Sequence, residues 1–182
     1  MSRHLHILLE RLSNVLREDL REVATAQDLA LTQLIALQYL SVANRFSDRL
    51  SDLVAYLGAT KGTVSQTVTA LERKGLVARE RDAEDGRVSH LIVTDRGRAV
   101  AEAALPAPVL AGLLDEGHSH EDAATIERLL RRMLAARGGI AFGVCRTCRH
   151  HEPRAVGAWC QLLGEPLTTV DGERWCREHA PA

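Results

Sequence analysis

The chain holds four cysteines, all beyond residue 144: Cys145, Cys148, Cys160 and Cys176, spaced C-x2-C-x11-C-x15-C. The first two can chelate one metal atom, and the other two must fold back to complete a set of four thiolates. Structural zinc usually draws on two C-x2-C pairs, whereas an iron–sulfur cube accepts one such pair with two distant cysteines. A 4Fe-4S cluster is therefore the expected cofactor, zinc is the alternative, and unligated redox thiols are a third reading. Arg146, Arg149 and Arg154 crowd the first pair, and positive neighbours lower a thiol pKa. His150, His151 and His179 are substitute ligands, each more often an ordinary surface histidine. Trp159 and Trp175, each directly before a cysteine, are placed to shield a cluster from water or simply to pack. Gly157, Gly164, Pro166 and Gly172 are expected to supply turns. So short a segment has little core, and a metal would supply much of its folding energy.

A second set of residues fits nucleic acid. From Lys61 to Lys74, Val64, Val68 and Leu71 share one helical face, while Lys61, Gly62, Ser65, Gln66 and Thr69 share the other. The second face is small, polar and basic, as a helix entering a major groove about 12 Å wide must be. Gln66 can pair with adenine, and Thr63 or Ser65 can reach a base edge or a phosphate. Arg73, Lys74, Arg79 and Arg81 stand where phosphates would pass. Residues 58–81 carry five Lys or Arg against two Glu, a local positive charge in a chain of formal net charge -1. Arg87 lies just past a turn, where a guanidinium can enter a narrow minor groove. The expected DNA-contacting set is Lys61, Thr63, Ser65, Gln66, Thr69, Arg73, Arg81 and Arg87. The bland alternative is a merely solvated helix face on a protein-interaction module with no DNA target.

These residues need elements to position them. Apolar residues from Leu5 to Val23 keep helical spacing, which predicts a first helix over 4–24 that packs on a core or on a second subunit. A second helix is expected over 28–42, followed by a loop at Asn44–Asp48. Ser51 can cap a short helix that Gly58 ends, and Thr60 can cap the next, which Gly75 stops. Together they make a helix-turn-helix. Residues 76–81 and 88–93 then alternate with period two and read as paired strands, with Asp85-Gly86 as the turn signal. Thr94 caps a helix over 95–105, interrupted by Pro106 and Pro108. A last helix covers 121–136. The expected fold is mainly α with a small β-wing, a winged helix-turn-helix with dimerising terminal helices and a short cysteine-rich module. The boundary falls near residue 138, giving domains 1–137 and 138–182.

Composition narrows the function classes. Apolar residues at 46% argue against disorder, and aromatics at only 3% favour helices packed through aliphatic stripes. No signal peptide or bilayer-length apolar run is seen, so no membrane partner and a cytoplasmic location are expected, where disulfides are rare. A disulfide-exchange enzyme is a rival reading of Cys145-x2-Cys148, but no βαβ pattern surrounds it, and no other catalytic arrangement stands out. His118-Ser119-His120-Glu121 reads better as a capped loop than as a metal site.

The stretch LSDLVAYLGATKGTVSQTVTALERKGLVARERDAEDGRVSHLIVTDRGR, residues 50–98, resembles the MarR family pattern. VSQTVTALERKGLV resembles its recognition helix and first wing strand. RDAEDGR resembles its wing, with Asp85 and Arg87 at the acidic and basic positions, and TDRGR the start of the helix returning to the dimer interface. Leu31-Thr32-Gln33-Leu34 resembles the opening of its second helix more weakly. The resemblance implies a non-enzymatic regulator, a homodimer built from the terminal helices, double-stranded DNA with a palindromic operator as partner, usually repression, and room for a small-molecule effector. The stretch from Cys160 to Cys176 also resembles, loosely, the second half of the cluster segment of high-potential iron–sulfur proteins. It shares a cysteine followed by Gln-Leu, a glycine turn and a Trp before the final cysteine. Together these imply a regulator whose tail senses redox or metal status, shifting the recognition helices through the last dimer helix.

Overall fold

The computed structural model describes residues 2–83, 85–114 and 119–181. Its centre is α2 (Leu31–Val42), whose Leu34, Ala36, Leu37, Tyr39 and Leu40 are all buried. A helix apolar on nearly every side must be surrounded, and α1 (Ser2–Ala26), α3 (Leu50–Leu57), α4 (Lys61–Arg73) and α5 (Asp95–Glu102) pack round it. The expected start of α2 at residue 28 moves to Leu31, because Asp28 takes a left-handed turn (φ 53°) that an Asp tolerates.

Gly58 closes α3 in the left-handed conformation, and Thr60 caps α4 by accepting from the Thr63 N–H at 3.2 Å, both as expected. Ser51 is not the cap of α3. Arg49 holds that position, and its N–H donates to the Asp52 carboxylate at 3.0 Å. After α4 the antiparallel pair β1 (Val77–Arg81) and β2 (Ser89–Val93) forms the wing, Val77 opposite Val93 and Arg81 opposite Ser89. Gly97 in α5 lies against this hairpin. A Cβ there would fall 2.1 Å from the Leu76 carbonyl oxygen, so only glycine allows the approach.

α5 ends at Glu102, short of the expected 105, and Pro108 opens α6 (Pro108–Leu114), where its missing N–H costs nothing. Among its described side chains, α7 (Ser119–Ala136) contributes none to the core. His118 lies outside the described residues. Beyond Gly139 come the two-stranded pair β3 (Gly143–Val144) with β7 (Trp175–Cys176), the three-stranded sheet β4 (His151–Pro153), β5 (Ala158–Cys160) and β6 (Glu165–Leu167), and the one-turn α8 (Thr169–Glu173). Gly157 and Gly164 do turn the chain with positive φ. Pro166 instead sits in edge strand β6 and Gly172 inside α8. No helix among the described residues is long and apolar enough to cross a membrane.

Candidate nucleic-acid interface and cysteine centre

α4 divides its faces as its sequence predicts. Val64, Val68 and Leu71 are fully buried, Lys61, Thr63, Gln66, Thr69 and Arg73 are exposed, and Ser65 is half-buried. Thr67, not singled out from sequence, is buried and donates to the Thr63 carbonyl. Arg81 and Arg87 are exposed on the wing. The Asp85 carboxylate accepts from the Arg87 N–H at 3.0 Å and fixes the turn that presents this side chain, and no described residue pairs with its guanidinium. Two expected phosphate contacts are otherwise engaged: Lys74 bonds to Asp28 at 2.7 Å, and Arg79 to Glu72 at 3.1 Å. Between the starts of α3 and α4 and the wing lies a cavity of about 530 Å³, lined by Arg49, Lys61, Arg79, Arg87 and Arg177 with no acidic residue.

The base of the wing is clasped. His90 Nδ1 lies 2.5 Å from Asp48 and Nε2 lies 3.1 Å from Asp82. Burial works against a charge on this ring, but the two carboxylates outweigh it and the pKa of His90 is raised.

In the tail all four cysteines are free thiols and buried. Cys145, Cys160 and Cys176 cluster with Ala158 and Leu167, and Phe46 covers them. Burial, and then the neighbouring Cys176, Cys160 and Cys148, push the Cys145 thiol up to about 12. This reverses the expected depression: Arg146 instead pairs with Glu173, and Arg154 lies over the Trp159 ring at 4.3 Å. Cys145, Cys160 and Cys176 share one buried cluster, and Cys148 is near enough to act on Cys145, so these thiols cannot all ionise without a neutralising cation. Nitrogen donors already face two of the sulfurs. The Ala180 N–H donates to Cys148 Sγ at 3.3 Å. Burial raises the Cys176 pKa, while Asn44, Ser47 and the Glu178 backbone favour its thiolate. Asn44 Nδ2 is buried near Cys176 without a hydrogen bond of good geometry.

Among the described residues, no group of three or more His, Cys, Asp or Glu is drawn together to hold a metal ion. Trp159 and Trp175 do not shield the thiols. Strand alternation turns each to the face opposite its following cysteine, and both stay half-buried. His179 is not a surface histidine: it is 7% exposed, its Nε2 lies 2.9 Å from Thr147 Oγ1, and its Nδ1 has no partner.

Residues 27–88 match the model of the MarR family. No curated protein matches the chain. Among solved structures, S. aureus MepR in its DNA-binding conformation shares 25% identity at a TM-score of 0.63, covering 73% of this chain and 98% of that one. The S. aureus MepR–DNA complex shares 25% at 0.56, covering 72% and 96%. A MarR family protein from Bacillus stearothermophilus shares 27% at 0.56, covering 75% and 95%. The chain has the winged helix-turn-helix fold of these MarR-type proteins.

About a quarter of the chain lies outside these similarities, the share the cysteine tail occupies. The tail is docked on the MarR domain at the loop before α3. Asn44 N–H donates to the Trp175 carbonyl at 2.9 Å, Arg45 to the Pro166 carbonyl at 2.6 Å, and Arg177 N–H to Ser47 Oγ at 2.8 Å. The Arg177 guanidinium meets Asp52 of α3 at 2.7 Å. Phe142 packs edge-on against Tyr39 and Tyr56. Sequence reasoning read 44–48 as an ordinary loop and missed this dock. Asn44, Ser47 and Asp48 are polar yet buried, which no local pattern in the sequence signals.

Proposed function

We propose that this MarR-type regulator binds a palindromic DNA duplex as a homodimer, repressing by occupancy, and that its cysteine centre holds a 4Fe-4S cluster whose presence sets DNA affinity. The observation that carries the DNA reading is the exposed hydrophilic face of α4 beside a cavity lined by Arg49, Lys61 and Arg87, with the ion-paired Arg79 and Arg177 at its edge. Cations along a groove-sized helix and its wing are what phosphate recognition requires. The fold shared with MepR, a protein seen bound to DNA, supports it.

The homodimer is supported by α1 and α7. Leu5, Leu8, Leu12, Ile126, Leu130 and Met133 are each between 43% and 51% exposed, a double apolar surface that one chain leaves uncovered. The cluster is supported by the C-x2-C-x11-C-x15-C spacing, by the shared burial of Cys145, Cys160 and Cys176, and by the Ala180 N–H that donates to Cys148 Sγ. When bound, a cluster supplies a redox-labile charge at that site. The chain's own residues do the rest. Asn44, Ser47 and Ala180 hold the thiolates, and the tail reaches the helix-turn-helix through the 43–49 loop and α3. This adds a direct route to the expected one through the last dimer helix.

The test uses anaerobically purified full-length protein and a palindromic duplex selected from a random pool. Affinity is measured at fixed salt before and after metal removal, with iron, sulfide and zinc assayed on the same samples. The reading expects brown protein with iron and sulfide, and weaker binding once stripped. Colourless protein holding zinc would replace the cluster by a structural ion, and equal affinities would end the sensing role.

A further inference from the structure

A path of hydrogen bonds runs from the loop before α3 to Arg87 on the wing. His90 of β2 faces a carboxylate through each ring nitrogen, Nδ1 to Asp48 at 2.5 Å and Nε2 to Asp82 Oδ2 at 3.1 Å. The other oxygen of Asp82, Oδ1, accepts from the Asp85 N–H at 2.8 Å, and Asp85 Oδ1 accepts from the Arg87 N–H at 3.0 Å. The carboxylate that meets His90 is thus the one that shapes the turn beneath Arg87. A carboxylate only accepts, and a neutral imidazole has one N–H to give. Both contacts of the ring are therefore satisfied only when the clasp holds one extra proton, on the ring or on the Asp48 carboxyl against it. Without that proton a ring lone pair faces a carboxylate, in a site where His90 and Asp48 keep only 16% and 10% of their side-chain surface.

We propose that His90 is a positioning residue for DNA binding: the proton it shares with Asp48 and Asp82 holds the turn that presents Arg87, and the protonated clasp binds duplex DNA more tightly than the deprotonated one. The inference rests on the DNA-binding reading above. The surroundings of the clasp retain the proton. Glu80 stands directly across the strand pair from His90, and Asp85 of the wing turn and Glu165 of the tail line the same cavity. Burial of Asp48 favours its neutral form, and Asp52 of α3 acts in the same direction. Arg45, Arg49 and Arg81 also line that cavity and oppose the proton, although Arg45 is drawn to Asp171. The bonds to Asp48 and Asp82 outweigh them, and His90 titrates above its ordinary value. When the proton leaves, one contact of the ring must break. Asp48 is buried and its carbonyl accepts from the Leu91 N–H at 2.9 Å, so the more exposed Asp82 gives way. The turn that fixes Arg87 then loses its footing, and the clasp gains a negative charge beside the phosphates. Both effects lower affinity as pH rises, which is the differential binding a switch needs.

The test measures affinity for the selected duplex at fixed salt from about pH 6 to about pH 9, on full-length protein. Wild type should lose about tenfold in affinity across this range, as pH passes the folded value of His90. His90→Gln, which has no such proton to lose, should give a flat profile. Asp82→Asn is the deciding variant, because 82 is the more exposed position. Its carboxamide oxygen still accepts from Asp85 and its NH2 donates to a neutral ring, so the clasp closes without the extra proton. It should bind with one affinity throughout the range. In free wild-type protein, the amide resonances of Asp85 and Arg87 should shift with the midpoint of the His90 ring. A wild-type pH profile in either variant overturns the role of His90. Amides of Asp85 and Arg87 that stay still through the ring titration overturn the path to Arg87. If wild type binds no duplex at any pH, the underlying DNA reading has failed instead, and the amide titration still decides the clasp.

Discussion

Arg87 and Lys74 look alike in sequence and differ in the fold. Arg87 stands on a turn shaped by Asp85 with its guanidinium exposed, whereas Lys74 is held by Asp28. Arg87→Ala should weaken duplex binding at least tenfold while the melting curve stays at wild type, since an exposed wing tip has no core role. Lys74→Ala should leave affinity close to wild type, and a band-shift titration of both variants compares them. His90 behaves differently because its charge is part of the fold. Burial opposes the proton, the bonds to Asp48 and Asp82 outweigh burial, Arg49 works against them, and the net pKa is raised above 6.5. The folded chain therefore holds this proton more tightly than the unfolded one. Its stabilisation is complete below about pH 6.5 and is lost as pH rises through the folded value. An NMR titration of the His90 ring should give a midpoint above 6.5, with faster amide exchange in the wing above it. A midpoint below 6.5 would remove the clasp.

At the scale of elements, local chemistry was legible wherever one residue decides a boundary. Thr60, Thr94 and Gly58 hold the positions their types predict, and Val64, Val68 and Leu71 face inward on α4. Legibility failed where the deciding partner is distant. Arg49 caps α3 because Asp52 reaches back to it, and Trp159 turns away from the thiols because β5 pairs on both sides. The thiol environment was misjudged for the same reason: Glu173 and the Trp159 ring occupy the arginines that were expected to favour thiolates. Gly97 is a case where only packing reveals the role. Gly97→Ala forces a methyl onto the Leu76 carbonyl and should cost about 1–3 kcal/mol in a urea melt, with the wing shifted. On α7, Leu130→Glu places a charge on an apolar face the chain leaves open, and sedimentation should show monomer where wild type shows dimer.

At the scale of the molecule, the tail grips the winged helix at the loop before α3 and at the start of α3. The grip falls on residues 43–49 and on Asp52, the segment that sets where α3, and through it α4, lies. A centre on that segment can bias DNA affinity without touching DNA, provided its filled and empty states hold the segment differently. The whole account depends on phosphate contact by α4, the wing and the cavity between them. The most direct test is the salt dependence of duplex binding by the purified dimer. The account predicts a linear fall of log K with log salt, with a slope steeper than about -5, as several phosphate contacts from each protomer require. Affinity that does not change with salt would contradict it.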